Sequence, residues 1–118
     1  MLTEKEAINL ASQPHLIADS QTCNTIIGYL NIEITRMDGE EFELEVASNN
    51  HRVELLAQEN KTLPLKDAEW KTSEPYKTWR KHLLELRKFR NWRNALRKKE
   101  EKLLDIEKYS RNLPKYLG

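Results

Sequence analysis

Three histidines, one cysteine and several closely spaced acids and bases are the residues of this 118-residue chain whose types invite a chemical reading. His15, His51, His82 and Cys23 lie far apart in sequence and lack the paired spacing of a zinc site. Each histidine reads as a surface or half-buried residue, with His82 placed to pair with Glu85 one helical turn later. Cys23, between Thr22 and Asn24, reads as an inert buried thiol. The three glycines form no phosphate-cradling cluster, and no nucleophile stands in an elbow or triad setting. Glu33, Glu41, Glu43 and Glu45 could supply a carboxylate pair, but acid–base work needs a pocket that nothing in the sequence indicates. They read instead as a solvated face, as an internal dock for basic residues, or as a mimic of a nucleic-acid backbone. The expectation is no catalytic, cofactor-binding or metal-ligating residue, no small-molecule substrate, and no enzyme.

The basic residues carry the strongest signal. From Pro75 to Lys99 the chain has ten Lys or Arg and a single acid, Glu85. Arg80, Arg87, Lys88, Arg90, Arg93, Arg97 and Lys98 are the expected contacts to a partner or to nucleic acid. Lys77 and Lys81 lie further round. Arg outnumbers Lys among the central ones, which suits bidentate contacts to carboxylate or phosphate. Trp92 sits among them and reads as buried more readily than as a stacking platform. A solvated helix face with local pairs such as Arg97–Glu101 is the bland alternative, and the later KKEEKLLDIEK segment is charge-balanced.

These residues must be positioned by a folded chain. Apolar residues make up 38% and charged residues 33%, with three Trp and four Tyr, which is too apolar for a disordered chain and enough for one domain. Residues 1–60 hold 3 Lys/Arg against 11 Asp/Glu, whereas residues 61–118 hold 17 against 8. Either the two halves attract each other within one fold, or the basic half meets an acidic protein or a polyanion. The lone cysteine excludes an intrachain disulfide, no apolar run approaches the ~18–20 residues of a membrane span, and MLTEKEAINLAS lacks a signal-peptide core. A cytoplasmic protein with no membrane partner is expected.

Thr3 and Glu6 match a capping box, predicting a short helix from Glu4 to about Ser12 that Pro14 ends. Residues 15–24 read mostly as loop. Over 26–46, Leu30, Ile32 and Ile34 alternate with polar residues, as do Phe42, Leu44 and Val46. This predicts a β-hairpin with a Met37-Asp38-Gly39 loop and Gly39 in the left-handed bulge position. Ile34 then faces Phe42, and Ile32 faces Leu44, on one buried surface. Residues 51–58 read as a third strand, with a short helix as the rival. Residues 61–74 read as a connector pinned by Leu63, Leu65 and Trp70.

Residues 75–113 read as a long helical region, with Ser73 or Thr72 as cap, Pro75 at the first turn, and Asn112 and Pro114 as stops. Its apolar face shifts from Tyr76, Trp79, Leu83 and Leu86 to Phe89, Trp92, Leu96 and Leu103, so the helix is expected to bend, break, or serve two partners. Trp92, Leu96, Leu103 and Ile106 form the stripe expected to join a second copy of the chain or another partner. The expected fold is α+β, a single domain over 1–118. It joins a small antiparallel β-meander of two to three strands to a short N-terminal helix and a long, bent or broken, basic C-terminal helix. The expected role is an interaction protein (adaptor, assembly subunit or inhibitor), an accessory factor docking through the basic helix and the apolar stripe. Nucleic-acid binding by the same Arg/Lys face, with little sequence preference, is the alternative.

Overall fold

The computed structural model describes residues 2–117, with side chains described for 2–110. In chain order the elements are α1 (Glu4–Ala11), a 3-10 turn (Pro14–Leu16), α2 (Ser20–Leu56), α3 (Leu63–Lys71) and α4 (Glu74–Leu117). The fold is all-helical, with no strand among the described residues. The chain divides into two compact units, Met1–Glu33 with Phe89–Gly118, and Ile34–Lys88.

In the first unit, Thr3 caps α1 as its sequence implies, its Oγ1 accepting the Glu6 N–H at 3.2 Å. Ala7 and Ala11 are buried one turn apart, and Ile17 is buried after the 3-10 turn. Asp19 then caps α2, accepting the Thr22 N–H at 3.1 Å and the Thr22 hydroxyl at 2.6 Å. Cys23, Ile26 and Leu30 of α2 and Leu96 of α4 are all at zero exposure and make this unit's core. Each buried aliphatic side chain contributes about 1.5–3 kcal/mol of transfer free energy. Polar ties join the pieces. The Tyr29 hydroxyl donates to the Leu2 carbonyl at 3.0 Å, Arg93 donates to Asn31 Oδ1 at 3.4 Å, and Lys99 donates to the Pro14 carbonyl.

In the second unit, Ile34, Met37, Leu55, Trp70 and Leu86 are buried together with Ser48. The Trp70 indole N–H, donor-only, finds the Ser48 carbonyl at 2.9 Å and its hydroxyl at 3.1 Å, so the ring is buried without leaving its donor unpaired. The Arg52 guanidinium lies 4.6 Å from the centre of the same ring, and Tyr76 packs edge-on to it at 4.8 Å. Pro64 sits in the first turn of α3, where its missing N–H costs nothing. Lys61 pairs with Glu69 at 2.8 Å, and Lys66 donates to the Leu56 carbonyl at 2.9 Å.

The expected β-hairpin is therefore overturned, along with the meander and the third strand over 51–58. Residues 26–56 lie within the one helix α2, so the helical rival for 51–56 prevails, and the loop expected over 15–24 gives way to helix at Ser20. Besides Ile26, inward positions of α2 recur every seven residues in two series: Cys23, Leu30, Met37, Leu44 and His51, and Ile27, Ile34, Glu41, Ser48 and Leu55. Each of these is buried or half-buried, the 3.5-residue period of packed helices rather than the period of two of a strand. Ile32 and Phe42, placed on the hairpin's buried face by alternation, are each 67% exposed. Gly39 takes no positive φ, so no bulge or turn exists there. Helix propensity is poor in this stretch, with two glycines and many β-branched residues, and tertiary packing of the inward series overrides it.

The region expected as a connector contains α3, in which Trp70 is buried as anticipated, while Leu63 and Leu65 are 66% and 48% exposed. Of the two caps expected for α4, Ser73 is the one used, its hydroxyl accepting the Tyr76 N–H at 3.4 Å. The expected break in that helix is absent: α4 is continuous through Asn91 and Asn94 and past Pro114 to Leu117. Its inward series are Trp79, Leu86, Arg93, Glu100 and Glu107, and His82, Phe89, Leu96 and Leu103, every one buried or half-buried. Polar residues at inward positions mimic a rotated apolar face.

Candidate basic docking face

The inner side of α4 in the second unit is held at three successive turns. Tyr76 packs edge-on to Trp79 at 6.0 Å, and the Trp79 indole N–H donates to Glu41 Oε1 at 3.1 Å. His82 Nε2 lies 2.7 Å from the Met37 carbonyl, with Glu40 4.0 Å from its other ring nitrogen. Leu86 closes the series at 2% exposure. With that side fixed, the opposite side must point outward, and there Leu84 is 60% exposed. At −7, −4, −3, +3 and +4 from Leu84 stand Lys77, Arg80, Lys81, Arg87 and Lys88, all exposed. On a helix these are the nearest same-side neighbours, so one apolar side chain sits among five cations. Lys88 pairs with Glu85 at 3.0 Å and Arg80 rests 6.0 Å from the Trp79 ring centre. Lys77, Arg80, Lys81 and Arg87 form no ion pair with a described residue.

Of the other expected contact residues, Arg90, Arg97 and Lys98 are exposed in the first unit. Arg93 is not outward: it is half-buried against Asn31, and its Nε is buried without a hydrogen-bond partner. Of the expected apolar stripe, Leu96 is fully buried, Trp92 is half-buried edge-on to Phe89 at 5.3 Å, and Leu103 is half-buried. Ile106 alone of the four is exposed, at 60%. Leu84 went unnoticed because Leu83 and Leu86 matched an apolar face, although its cationic neighbours at three- and four-residue spacing were visible in the sequence.

Elsewhere two titratable groups, Asp19 and Cys23, are committed to structure. The Asp19 carboxyl lies below the usual carboxylate range because the Thr22 hydroxyl and backbone N–H both donate to it. It borders an open groove of about 820 Å³ in the first unit, lined also by Leu2, Glu6, Tyr29 and Ile32. Burial pushes the Cys23 thiol up, against a smaller opposing pull from Lys99. Among the described residues no three His, Cys, Asp or Glu side chains are grouped to hold a metal, and no helix is long and apolar enough to cross a membrane. No protein-family model matches this chain, nor does a curated protein or a solved structure.

Proposed function

We propose that this chain is a non-enzymatic interaction protein, an adaptor, assembly subunit or inhibitor, that docks an acidic protein surface through the outward face of α4 in its second unit. The observation that carries this reading is Leu84, 60% exposed at the centre of Lys77, Arg80, Lys81, Arg87 and Lys88. A duplex backbone asks only for cations at phosphate spacing. An apolar side chain exposed among them is instead the arrangement of a protein interface, where a desolvated contact gives lifetime and surrounding charges steer association and set specificity. Arg80 and Arg87, one heptad apart on the same column, can each take a carboxylate bidentately. A buried lone thiol agrees with a reducing, cytoplasmic setting.

The test compares wild type, Leu84→Asp and the pair Arg80→Glu/Arg87→Glu as immobilised bait in nuclease-treated extract, with duplex DNA and RNA binding measured in parallel. Expected is a protein retained by wild type, resistant to nuclease, and lost with either variant while their helical circular dichroism is unchanged. Binding of DNA or RNA that falls steeply with salt and ignores Leu84→Asp would replace this reading with a nucleic-acid one. Capture unaffected by both variants overturns it.

A further inference from the structure

On the side of α2 nearly opposite its inward series lies a second seven-residue repeat. In the second unit it runs Thr35, Gly39, Phe42, Val46, Asn49 and Val53, every residue exposed. None is charged in a chain that is 33% charged, and the same register in the first unit, at Thr25, Gly28 and Ile32, is uncharged and exposed too. Phe42 and Val53 are 67% and 64% exposed. A Cβ added at Gly39 would meet nothing within 4 Å, so the chain itself leaves a notch there. Spacing by three and four residues, with large apolar side chains and a glycine notch, is what a helix presents to another helix.

We propose that this face receives the same face of a second copy, antiparallel, about a two-fold axis passing beside residues 40 and 41. That register sets Gly39 against Phe42 of the second copy and Thr35 against its Val46, and twofold symmetry repeats each contact, so small meets large at the centre of the face. It also fits one flank electrostatically. Arg36, which pairs with Glu40 on its own helix, comes opposite Glu43 of the second copy, and Glu43 opposite the second copy's Arg36. On the other flank Asp38 comes opposite Glu45, a like-charge pair that weakens the association. The pairing uses α2 and leaves the Leu84 face of α4 free, so it stands or falls independently of the docking function.

Sedimentation equilibrium tests it. Wild type should show a concentration-dependent monomer–dimer equilibrium. Phe42→Asp should stay monomeric at all concentrations with the same helical circular dichroism. Gly39→Leu should raise the helix content or melting temperature of the monomer, since the site is open and glycine is a poor helix former, while weakening the dimer at least tenfold. Arg36→Glu should weaken the dimer severalfold, and Arg36→Glu with Glu43→Arg should restore it, a rescue that only the antiparallel twofold register produces. Asp38→Asn should tighten it. Wild type that remains monomeric at several hundred micromolar overturns the proposal, as does a dimer untouched by Gly39→Leu or not rescued by the charge swap.

Discussion

Glu107 of α4 caps α2 from 87 residues away: its Oε1 accepts the Ser20 backbone N–H at 3.0 Å and its Oε2 the Ser20 hydroxyl at 2.6 Å. The first turn of a helix has four unpaired N–H groups and a partial positive charge, so a carboxylate there satisfies a donor and opposes the dipole together. Asp19 satisfies a second donor of that turn, the Thr22 N–H. A helix of 37 residues with two glycines thus starts from two acids, one local and one delivered by tertiary structure.

Glu107→Ala removes a half-buried, charge-assisted pair of hydrogen bonds and should cost about 2–3 kcal/mol in urea denaturation. Glu107→Gln keeps one acceptor and should cost roughly half as much. Equal costs for the two would mean that a neutral acceptor contributes nothing there and the charge carries the whole effect, whereas a negligible cost for Glu107→Gln would mean that the carboxylate charge contributes nothing at the α2 terminus.

Asp19 makes stability depend on pH in a definite direction. Its folded-state pKa is lowered from an ordinary 3.8, so the folded state favours the carboxylate. The stability this contributes is complete above the unfolded value and is lost as pH falls below about 4 toward the folded value. Asp19→Asn retains a capping acceptor and should flatten that acid limb in melting temperature while changing little at neutral pH. An unchanged limb in the variant rejects the assignment.

Core and surface positions of α2 should separate cleanly. Leu30→Ala, at zero exposure, should cost about 2–5 kcal/mol. Phe42→Ala, at 67% exposure, should change stability by less than about 0.5 kcal/mol when measured dilute enough to keep the chain monomeric. A loss of about 3 kcal/mol at Phe42 in the monomer contradicts the helical register.

Trp70→Phe keeps most of the ring volume but removes the N–H that reaches Ser48. It should cost about 1–3 kcal/mol, since the buried Ser48 carbonyl and hydroxyl lose a shared donor. Ser48→Ala should be milder because the indole retains the carbonyl. The two substitutions combined should cost less than their sum, which a double-mutant cycle measures.

Cys23 should resist thiol reagents in the folded protein. It has zero exposure and a thiol pKa raised by burial, so little thiolate is present and none is accessible. Labelling at pH 8 should be slow without denaturant and rapid in its presence. Fast labelling of native protein would show that the first unit opens readily.

By itself the sequence determined the features that depend on near neighbours. The Thr3 cap, the helix ended before Pro14, a cap for the last helix at Ser73 or Thr72, and the concentration of cations from Pro75 to Lys99 are local facts, and the structure keeps each of them, with Ser73 as the cap it uses. Tertiary structure alone decided which period the chain between residues 26 and 56 would follow. Its apolar residues suit alternation as well as the inward seven-residue repeat, because Leu30 and Ile34 fit both patterns while Ile32 and Phe42 fit alternation and lie outside the inward series. The inward places that would have revealed the helix are filled by polar Glu41, Ser48 and His51. Partners distant in sequence make two of them tolerable, Trp79 for Glu41 and Trp70 for Ser48. The same holds in α4, where Arg93 and Glu107 occupy inward positions and meet Asn31 and Ser20. A buried polar group is affordable only once its partner is in place, and that partner is supplied by the fold rather than by the neighbouring residues.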